Sequence, residues 1–325
     1  MASCGLTTAD IAAALPEWLS KGSEIAKNLK FPQDFNSLEE FQKSRIYQYY
    51  LPVFFWCQNQ LKAHKAAEAP GPLIVGISAP QGCGKSTLCE QLEALFTSAG
   101  LTAASVSIDD FYLSYEGQQV VATAHPTNPL LQMRGNAGSH DLELGTSTLS
   151  ALRAATSAKS VVPLPRYNKS AYSGKGDRAD PTTWPSVSGP VDIVLFEGWM
   201  LGFAPVEDSA AVSVDPNLTP VNAFLKEYKA AWDAWVDCWL VVRVSDPQYA
   251  YKWRLQAERA MRAAGKPAMT DEQVGQFVDR FMPAYKCCLP GLYGSGPTTA
   301  APGKLLVVEV DENREPVPQQ PAKIM

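Results

Sequence analysis

The feature that most constrains the fold of this chain is a glycine-rich segment between a short apolar run and a helical pattern. Residues 73–78 read Leu-Ile-Val-Gly-Ile-Ser, which suits a buried parallel strand, and a helical pattern follows from Lys85 to about Ser98. The backbone amides of a glycine-rich turn can wrap an anion, and the following helix directs the positive end of its dipole at that anion. The order of strand, turn and helix therefore predicts a site for nucleotide phosphates.

The turn and the first helical residues match the phosphate-binding pattern with one departure. We predict that nine consecutive residues hold the nucleotide: Ala79, Pro80, Gln81, Gly82, Cys83, Gly84, Lys85, Ser86 and Thr87. Lys85 is expected to reach the β- and γ-phosphates, and the Ser86 hydroxyl to bind Mg²⁺. Ala79 stands where the usual pattern has its first glycine, a change that backbone geometry tolerates. Cys83 lies beside Lys85 and a helix N-terminus, a setting that can lower a thiol pKa, although a small residue filling a small space is the favoured interpretation.

A phosphate-binding loop does not by itself separate kinases from ATPases and GTPases. The base-recognition motif of GTPases reads Asn-Lys-x-Asp, and the nearest match here, Asn168-Lys-Ser-Ala171, lacks the aspartate. No Asp-x-x-Gly switch sequence occurs anywhere in the chain. A GTP-driven switch is therefore disfavoured.

Further strand and helix patterns alternate along the chain after the phosphate loop. Apolar runs predict strands at residues 103–108, 191–196, 239–244 and 304–310. Helical patterns are found at about 144–158, 220–237, 246–264 and 270–288, and Thr219 and Pro220 are expected to start the second of these. Strands that alternate with helices indicate an α/β fold, with a P-loop NTPase-type parallel sheet flanked by helices.

The composition of the chain changes along its length. Residues 1–68 read as a helical N-terminal segment, and the breaker cluster Glu68-Ala-Pro-Gly-Pro72 marks the boundary before a P-loop domain at 69–325. Within that domain, residues from about 114 to 189 are rich in Pro, Gly, Ser and Asn, which favours an irregular insert that binds substrate.

Charge and cysteine content narrow the classes of partner. The 28 lysines and arginines against 33 acids give a net charge of −5, which argues against broad electrostatic binding to nucleic acid or an anionic membrane. Seven cysteines without zinc-like spacing favour reduced thiols in an intracellular compartment. The amino terminus lacks the cationic start of a secretory signal and, with its first arginine at Arg45, does not resemble a transit peptide; a processed mature chain is the alternative. We expect a monomer that acts on a small molecule.

Acidic residues follow two of the predicted strands at their carboxyl ends, where open parallel sheets bind ligands. Asp109 and Asp110 come directly after the second strand, and Glu197 comes after the third. A carboxylate there can accept a proton from a substrate hydroxyl that attacks a phosphoryl group, or hold a Mg²⁺-bound water. Helix capping by one aspartate, and simple exposure of Glu197, are the alternatives.

Several longer motifs resemble those of plant-type D-glycerate 3-kinases. They are Ser107-Ile-Asp-Asp-Phe-Tyr-Leu113, Arg134-Gly-Asn-Ala-Gly-Ser-His-Asp141, Phe196-Glu-Gly-Trp-Met-Leu-Gly-Phe203, Trp253-Arg-Leu-Gln-Ala-Glu258 and Met282-Pro-Ala-Tyr285. The resemblance runs from about residue 35 to residue 316, and the family belongs with the uridine kinase, phosphoribulokinase and pantothenate kinase group. It implies Mg²⁺- and ATP-dependent phosphorylation of D-glycerate to 3-phospho-D-glycerate, the closing step of photorespiration, in the chloroplast stroma. A cytoplasmic location is the alternative.

The resemblance also implies roles for particular residues. Asp109 is favoured over Asp110 as the catalytic base, and Ser86, Glu197 and Asp109 are the candidates near Mg²⁺. Substrate-binding candidates in the insert are Arg134, His140 and Asp141 in one group and Tyr167, Lys169 and Arg178 in a second group, which similarity to related kinases places over the acceptor. An arginine fork suits the substrate carboxylate. The resemblance further implies that a basic helix within about 246–268 is a lid. Arg254 and Arg259 are the catalytic candidates in it, and a solvated charge is the alternative for each of these side chains.

Two other functions stay open at this point. A nucleoside or pantothenate kinase has the same core, and turnover of D-glycerate, uridine and pantothenate measured side by side separates these activities. A nucleotide-binding regulator without a phosphoryl acceptor is disfavoured by the acids that follow two strands. Such a regulator would show no glycerate-stimulated release of ADP.

Overall fold

A parallel β-sheet forms the centre of the molecule, for which a computed structural model describes Cys4 and residues 7–318. The strands in that range are β1 (Leu73–Ser78), β2 (Ala103–Ser107), β3 (Val161–Pro163), β4 (Tyr167–Asn168), β5 (Asp177–Arg178), β6 (Ser186–Ser188), β7 (Ile193–Gly198), β8 (Cys238–Val244) and β9 (Leu305–Val310). In this part of the chain, five strands form the sheet in the order β2-β7-β1-β8-β9, and all neighbouring pairs are parallel. The expected α/β fold class is confirmed.

The strand predictions hold to within two residues at each end. The largest shift is in β7, which begins at Ile193 rather than residue 191. Asp192 has another task, because its carboxylate accepts the Thr102 N–H at 2.9 Å and lies 2.5 Å from Lys65 Nζ. These side-chain contacts hold Asp192 just before β7, outside the strand itself.

Helices cover both faces of the sheet. The described α-helices are α1 (Thr8–Ala13), α2 (Leu15–Asn28), α3 (Glu40–Lys43), α4 (Leu51–Ala66), α5 (Lys85–Ser98), α6 (Tyr115–Ala124), α7 (Leu142–Arg153), α8 (Asp208–Val214), α9 (Leu218–Ala231), α10 (Tyr249–Ala263), α11 (Asp271–Asp279) and α12 (Met282–Ser295). A π-helical segment, Ser44–Tyr50, joins α3 to α4. Within the described chain, no helix is both long and apolar enough to cross a membrane.

Three predicted helices have the wrong boundaries, and proline is involved in two of them. The helix predicted at about 144–158 ends at Arg153, and the helix predicted at 220–237 ends at Ala231. Residues 270–288 form α11 and α12 rather than one helix, because Pro283 has no N–H to donate to the carbonyl of Asp279. The helix predicted at 220–237 begins earlier, at Leu218, and Asn217 rather than Thr219 occupies the N-cap position. Pro220 then lies in the first turn, where a backbone N–H would have no partner within the helix.

The central strands are buried on both faces, and alternate side chains build a separate core on each face. Ile74 of β1 and Trp239 of β8 belong to one core. Val75 of β1 and Leu240 of β8, the next residue in each strand, belong to the other. The near-continuous apolar runs seen in the sequence therefore arise because neither face of the sheet is solvated.

The N-terminal helices pack against the second of these cores. Trp18 of α2 stacks on Phe55 of α4 with ring centroids 4.9 Å apart, and Phe54 of α4 lies 5.0 Å from Phe96 of α5. These aromatic residues share one buried cluster with the strand residues on that face. The helices thus belong to the layer that covers the sheet, while the domain boundary at residue 68 stays a prediction.

The region at 114–189 contains α6, α7 and the short strands β3 to β6. Its second hairpin, β4 with β5, carries Lys169 to the carboxyl edge of the sheet, where Lys169 Nζ lies 2.5 Å from Asp109 Oδ2. Asp177 of β5 connects the hairpin to α6, because its carboxylate accepts the Tyr115 N–H at 2.9 Å. The hairpin is therefore placed above the strand ends, where a ligand of the sheet would bind.

Asp233 is a buried carboxyl group, 3% exposed, that follows α9. Burial raises its pKa to about 7, opposed by hydrogen bonding from the Gly202 N–H and by Lys229. Between about pH 4 and about pH 7, the Asp233 carboxyl group is therefore protonated in the native state but ionised in the unfolded state, where its pKa is about 4. The free energy of unfolding consequently falls as the pH rises from about 4 to about 7.

We expect Asp233→Asn to raise the free energy of unfolding at pH 8 by roughly 2 kcal/mol, because the neutral amide removes a buried charge and keeps an acceptor. Near pH 4.5 the change should be small, since the native carboxyl group is already neutral. Urea unfolding of the variant and the wild type at both pH values measures the difference. An equal effect at the two pH values would contradict this account of Asp233.

Candidate active site

Three segments of the chain meet at the carboxyl edge of the sheet. β1 leads into the phosphate loop, β2 leads to Asp109, and β7 contains Glu197. In the parallel register, Ser78 lies opposite Gly198 and Ser107 lies opposite Glu197. Because the strands run in the same direction, their last residues reach one edge, and the predicted phosphate-binding and acidic residues come together there.

The phosphate loop is held in shape by glycine geometry and by contacts from two helices. Gly82 and Gly84 have φ values of +80° and +96°, in the region that favours glycine. A side chain at Gly82 would also collide with α10, since its Cβ would lie 2.7 Å from Trp253 Cβ. The Gln81 N–H donates to the Tyr285 hydroxyl of α12 at 2.9 Å. The loop then opens into α5, whose N-terminus is suited to bind phosphate.

Lys85 and Glu197 form a buried pair beside the loop. Lys85 Nζ lies 3.9 Å from Glu197 Oε2, too far for a direct hydrogen bond, and Glu197 Oε2 has no hydrogen-bond partner among the described residues. Burial raises the pKa of Glu197, against the opposing charge of Lys85. Burial also acts to lower the pKa of Lys85, but Glu197 and other nearby anionic groups outweigh it, and the net shift is upward. Lys85 is therefore charged.

Asp109 is held by a cation and a hydroxyl group. Lys169 Nζ donates to Asp109 Oδ2 at 2.5 Å, and the Tyr112 hydroxyl donates to Oδ1 at 3.0 Å. Burial acts to raise the pKa of Asp109, but Lys169, Lys85 and the two side-chain hydrogen bonds together lower it to about 2. Asp109 is therefore ionised at neutral pH, and its charge acts on the buried Lys85.

Asp110 serves the insert rather than the phosphate loop. Its Oδ1 accepts the Tyr167 N–H at 3.1 Å, and its Oδ2 lies 3.4 Å from a guanidinium nitrogen of Arg166. Burial raises the pKa of Asp110 to about 6, against the charge of Arg166. Asp109, and not Asp110, is among the main electrostatic influences on Lys85. This arrangement supports the choice of Asp109 as the proposed base.

The helix-capping alternative for the two aspartates is wrong. They lie inside a short 3₁₀-helix, Ile108–Phe111, and the residue that caps it is Ser107. The Ser107 Oγ accepts the Asp109 N–H at 3.2 Å. Both carboxylates are thereby left for the contacts described above.

Buried polar atoms without a partner gather around this edge of the sheet. Among the described residues, those that lack any hydrogen bond include Ser78 Oγ, Gln81 Oε1, His140 Nε2, Tyr167 Oη, Glu197 Oε2 and Trp199 Nε1. A buried polar group that stays unpaired costs about 1–3 kcal/mol, so native proteins seldom leave several of them together. Several unpaired polar atoms together favour a polar ligand at this edge of the sheet.

Arg134, from the first predicted substrate group, supports the hairpin of the second group. Its guanidinium lies over the Tyr167 ring, 5.4 Å from the centroid, and donates to the carbonyl oxygens of Lys169 at 3.3 Å and Gly174 at 2.8 Å. Carbonyl groups satisfy hydrogen bonds but carry no full charge, so Arg134 keeps its positive charge available to an anion. Its substrate-binding role stays a prediction.

His140 lies in a buried aromatic cluster. Its ring stacks on Tyr112 with centroids 4.5 Å apart, and its Nδ1 lies 2.8 Å from the Tyr228 hydroxyl. Burial lowers the pKa of His140 to about 3, so the imidazole is neutral at physiological pH. If His140 contacts the substrate, it does so as a neutral hydrogen-bonding group through Nε2, and it supplies no charge for a carboxylate.

Asp141 and Arg178, taken from the two predicted substrate groups, form an ion pair with each other. A guanidinium nitrogen of Arg178 lies 2.6 Å from Asp141 Oδ2, and both side chains are half-buried. Asp141 also caps α7, because its Oδ1 accepts the Leu144 N–H at 2.9 Å. The charge of Arg178 is therefore already neutralised, which makes it a weaker candidate for the carboxylate than the sequence suggested.

The lid helix α10 reaches the phosphate loop through Trp253, while its two candidate arginines are paired with acids. Arg254 pairs with the buried Glu258 on the same helix. Arg259 lies 2.8 Å from Asp271, at the start of α11. Within residues 7–318, no hydrogen bond or ion pair joins either arginine to the phosphate loop. Their catalytic roles stay predictions that require these pairs to open.

Comparison with known proteins assigns the chain to a family. No family model matches it. Over 317 residues, which are 96% of this chain and 69% of the relative, it is 47% identical to the chloroplastic D-glycerate 3-kinase of Arabidopsis thaliana. The chain belongs to the D-glycerate 3-kinase family.

Two further relatives support the assignment to the D-glycerate 3-kinase family and to the kinase class. The structure of a D-glycerate 3-kinase from Cryptococcus neoformans is 33% identical and superposes with a TM-score of 0.75, covering 83% of this chain and 98% of that one. A Saccharomyces cerevisiae protein described as a probable ATP-dependent kinase is 36% identical over 252 residues, 74% of this chain and 82% of that protein. The resemblance read from the motifs is confirmed, and with it the kinase class.

The site of this family member also contains residues suited to bind the Mg²⁺ that accompanies ATP in kinases. Among the described residues, no three His, Cys, Asp or Glu side chains converge on a metal site. Mg²⁺ in phosphoryl-transfer sites needs only one or two carboxylates, because phosphate oxygens and waters complete its shell. Glu197, with an unpartnered Oε2, and Ser86, in the first turn of α5, supply suitable oxygen donors.

Cys83 is not an activated thiol. Its side chain is 2% exposed, and burial raises its pKa even though Lys85 acts in the opposite direction. The alternative of a lowered thiol pKa is therefore wrong. The interpretation as a small residue filling a small space agrees with the structure, since Cys83 belongs to the buried core beneath the loop.

Three supporting side chains were missed by sequence reasoning. Tyr112 and Tyr285, which bond Asp109 and the phosphate loop, lie inside the motifs that carry the family resemblance, so closer attention to those motifs would have found them. Arg314 donates to the Gly82 carbonyl at 2.7 Å, 232 residues away along the chain. No local pattern marks Arg314, because its contact depends on the path of the chain after β9.

Proposed function

We propose that this protein is a glycerate 3-kinase that transfers the γ-phosphoryl group of ATP to the 3-hydroxyl of D-glycerate, giving 3-phospho-D-glycerate and ADP. The observation that carries the proposal is the joint placement of a phosphate loop and an ionised Asp109 at one sheet edge, in a chain that belongs to the D-glycerate 3-kinase family. The loop would bind the phosphates of ATP, and Asp109 would accept the proton of the acceptor hydroxyl.

Residues of the phosphate loop bind and neutralise the nucleotide. The loop amides and the N-terminus of α5 face the phosphates, and the charged Lys85 lies beside them. Mg²⁺ bound to ATP supplies further neutralisation of the charge on the phosphate oxygens. Ser86 and Glu197 would hold this ion, with Asp109 close to it. Burial raises the pKa of Glu197, and the positive charge of Lys85 opposes that shift and favours the carboxylate form needed for this task.

Asp109 orients the acceptor and takes its proton. As the bond from O3 to the γ-phosphorus forms and the bond to the bridging oxygen of ADP breaks, the hydroxyl proton passes to the Asp109 carboxylate. A low pKa does not prevent this role, because the transition state of phosphoryl transfer is loose and demands little early proton transfer. Tyr112 fixes one oxygen of Asp109, and Lys169 holds the other until the substrate arrives.

The remaining predicted residues complete the proposed site. The β4–β5 hairpin above Asp109 carries Tyr167, Lys169 and Arg178. Closure of α10 would bring Arg254 and Arg259 towards the transferring group. Their ion pairs with Glu258 and Asp271 would have to open first. Cationic side chains there would stabilise developing charge and exclude water. Closure of this kind sets the rate of many kinases.

We further propose a place for this activity in the cell. Membership of the family, with a chloroplastic relative in Arabidopsis thaliana, supports a location in the chloroplast stroma and a role as the closing step of photorespiration. We propose that the protein acts as a monomer on a small-molecule substrate. Fractionation of the source cells and the sedimentation coefficient of the purified chain test these two statements.

The decisive test of the activity is a turnover assay with ATP and each of D-glycerate, uridine and pantothenate. We expect ADP release only with D-glycerate, and phosphorus NMR of the product should place the phosphate on O3. Phosphate on O2 would overturn the proposed regiochemistry. Preference for uridine or pantothenate would overturn the substrate, and nucleotide binding without any stimulated ADP release would favour a regulator.

A further inference from the structure

Arg280 lies between α11 and α12, at a point where the chain packs against the insert. The Arg280 carbonyl accepts a hydrogen bond from Asn136 Nδ2 at 3.0 Å. The neighbouring Phe281 packs edge-on against Trp199, with ring centroids 5.1 Å apart. The break between the two helices is therefore fixed on both sides, against the insert and against the segment that follows Glu197.

The guanidinium of Arg280 is half-buried and lacks an acidic partner. Among the described residues, no side-chain hydrogen bond or ion pair satisfies it, and its nearest described contact is the Phe277 ring, 5.1 Å from the centroid. Burial lowers the pKa of Arg280, and the neighbouring charge of Arg134 lowers it further, against an opposing effect of Tyr112. An arginine stays charged under such conditions, so the protein holds an uncompensated cation here.

Arg134 lies two residues before Asn136, which bonds the Arg280 carbonyl, and within the described chain it also has no acidic partner. Its guanidinium bonds backbone carbonyls and lies 6.0 Å from the centre of the Tyr112 ring. By contrast, Arg166 and Arg178 are paired with Asp110 and Asp141. Two like charges that are brought together, partly buried and left unpaired, are stabilised by an anion bound between them.

We propose that Arg280, together with Arg134, binds the carboxylate of the D-glycerate substrate. The inference rests on the proposed function and names the carboxylate-binding residues of that site. Tyr112 connects the two ends of the substrate, because its hydroxyl bonds Asp109 while its ring lies beneath Arg134. D-glycerate bound along Tyr112 would place its terminal hydroxyl at Asp109 and its carboxylate at this arginine pair.

The pair explains how the site would select a hydroxy acid over a neutral polyol. A planar guanidinium bonds both oxygens of a carboxylate, and such charge-assisted bonds are stronger than those to a hydroxyl group. A polyol would leave the two positive charges uncompensated. The transferring phosphoryl group is the other anion in the reaction, and the experiment must separate it from the carboxylate.

The test compares Arg280→Gln and Arg280→Lys with the wild-type protein. We expect Arg280→Gln to raise the KM for D-glycerate about 10- to 100-fold, the range set by loss of one charge-assisted contact, and to leave the KM for ATP within about twofold. Arg280→Lys, which restores the charge without the fork, should recover part of the loss. Lys65→Gln, which removes one positive charge at the amino-terminal edge of the sheet, should change neither constant.

Inhibition by D-lactate separates the carboxylate from the phosphoryl group. D-lactate keeps the carboxylate and the 2-hydroxyl of D-glycerate but has no hydroxyl to receive phosphate. We expect it to compete with D-glycerate in the wild type, and Arg280→Gln to weaken that inhibition by at least tenfold. Propane-1,2-diol, which lacks the carboxylate, should inhibit both proteins equally and weakly.

The outcomes are distinguishable. Unchanged D-glycerate KM and D-lactate inhibition in a folded Arg280→Gln protein would overturn the inference, and so would a fall in kcat with D-lactate inhibition intact, which would assign Arg280 to the phosphoryl group. Absence of D-glycerate turnover by the wild type would instead overturn the proposed function. Circular dichroism of each variant establishes that the fold is kept.

Discussion

Asp109→Asn should lower the kcat for D-glycerate by at least about 10²-fold while ATP binds with nearly unchanged affinity. The amide keeps the shape of the carboxylate and an acceptor for the Tyr112 hydroxyl, but it cannot take the proton of the acceptor hydroxyl. Loss of a positioned base costs about 10²- to 10⁴-fold. ATP affinity should change little, because the nucleotide is bound by the loop amides, by the N-terminus of α5 and by Lys85 rather than by Asp109.

Asp110→Asn is the matched control for this variant. The substituted amide can still accept the Tyr167 N–H, and the carboxylate that it replaces faces Arg166 rather than the phosphate loop. We expect its kcat to stay within about tenfold of the wild type. Steady-state kinetics with saturating ATP, and nucleotide binding by calorimetry, measure both variants. Near-normal turnover in Asp109→Asn combined with severe loss in Asp110→Asn would reassign the base to Asp110.

Lys85→Met should lower kcat/KM for ATP by about 10²- to 10³-fold. Lys85 is charged, buried and close to the phosphate loop, and pre-organised donors of this kind each contribute about that factor. Methionine fills a similar volume, so packing beside the loop is largely kept. The loss should affect ATP more strongly than D-glycerate, because Lys85 is placed against the phosphates and not against the insert.

The same substitution should also change the pH dependence of stability. Burial already raises the pKa of Glu197, and removing Lys85 takes away the charge that opposes this shift. A carboxyl group with a raised native pKa loses stability as the pH rises above its unfolded value of about 4, so Lys85→Met should become progressively less stable than the wild type above that pH. The double variant Lys85→Met/Glu197→Gln should remove this trend.

Controls separate local charge from net charge. Lys65→Gln changes the net charge by the same amount at the opposite edge of the sheet and should leave kcat/KM unaltered. Lys85→Arg keeps the charge but not the shape, and we expect it to recover little activity because the Lys85 side chain is only 15% exposed and a larger group has little room there. If Lys85→Met kept wild-type kcat/KM for ATP while folded, Lys85 would have no part in nucleotide binding.

The features predicted well from the sequence are those set by neighbouring residues. The strand Leu73–Ser78 and the helix Lys85–Ser98 agree with the structure to the residue, because apolar runs, glycines and helix formers act within a few positions. The position of Glu197 followed from the same reasoning, since it ends an apolar strand. Errors arose where one residue changed a helix boundary, as Pro283 does between α11 and α12.

The pairing of charges was not predictable in this way. Arg178 and Asp141 were both assigned to the substrate, yet they neutralise each other across 37 positions of the chain. Arg280, which no motif marks, is left without an acid beside Arg134. Whether a charged side chain is paired or free depends on groups that only folding brings within a few ångströms, because electrostatic interactions depend on distance in space and on burial.

The sequence by itself determined the phosphate loop, the parallel α/β sheet and the acids that end β2 and β7, because each depends on a short run of residues and its periodicity. Only the tertiary structure decided that the charge of Asp109 acts on Lys85, while Asp110 bonds the Tyr167 N–H of the insert. It also decided that Cys83 is a buried thiol with a raised pKa. The physical reason is that desolvation and pairing, which set the charge and reactivity of a group, are properties of its three-dimensional surroundings.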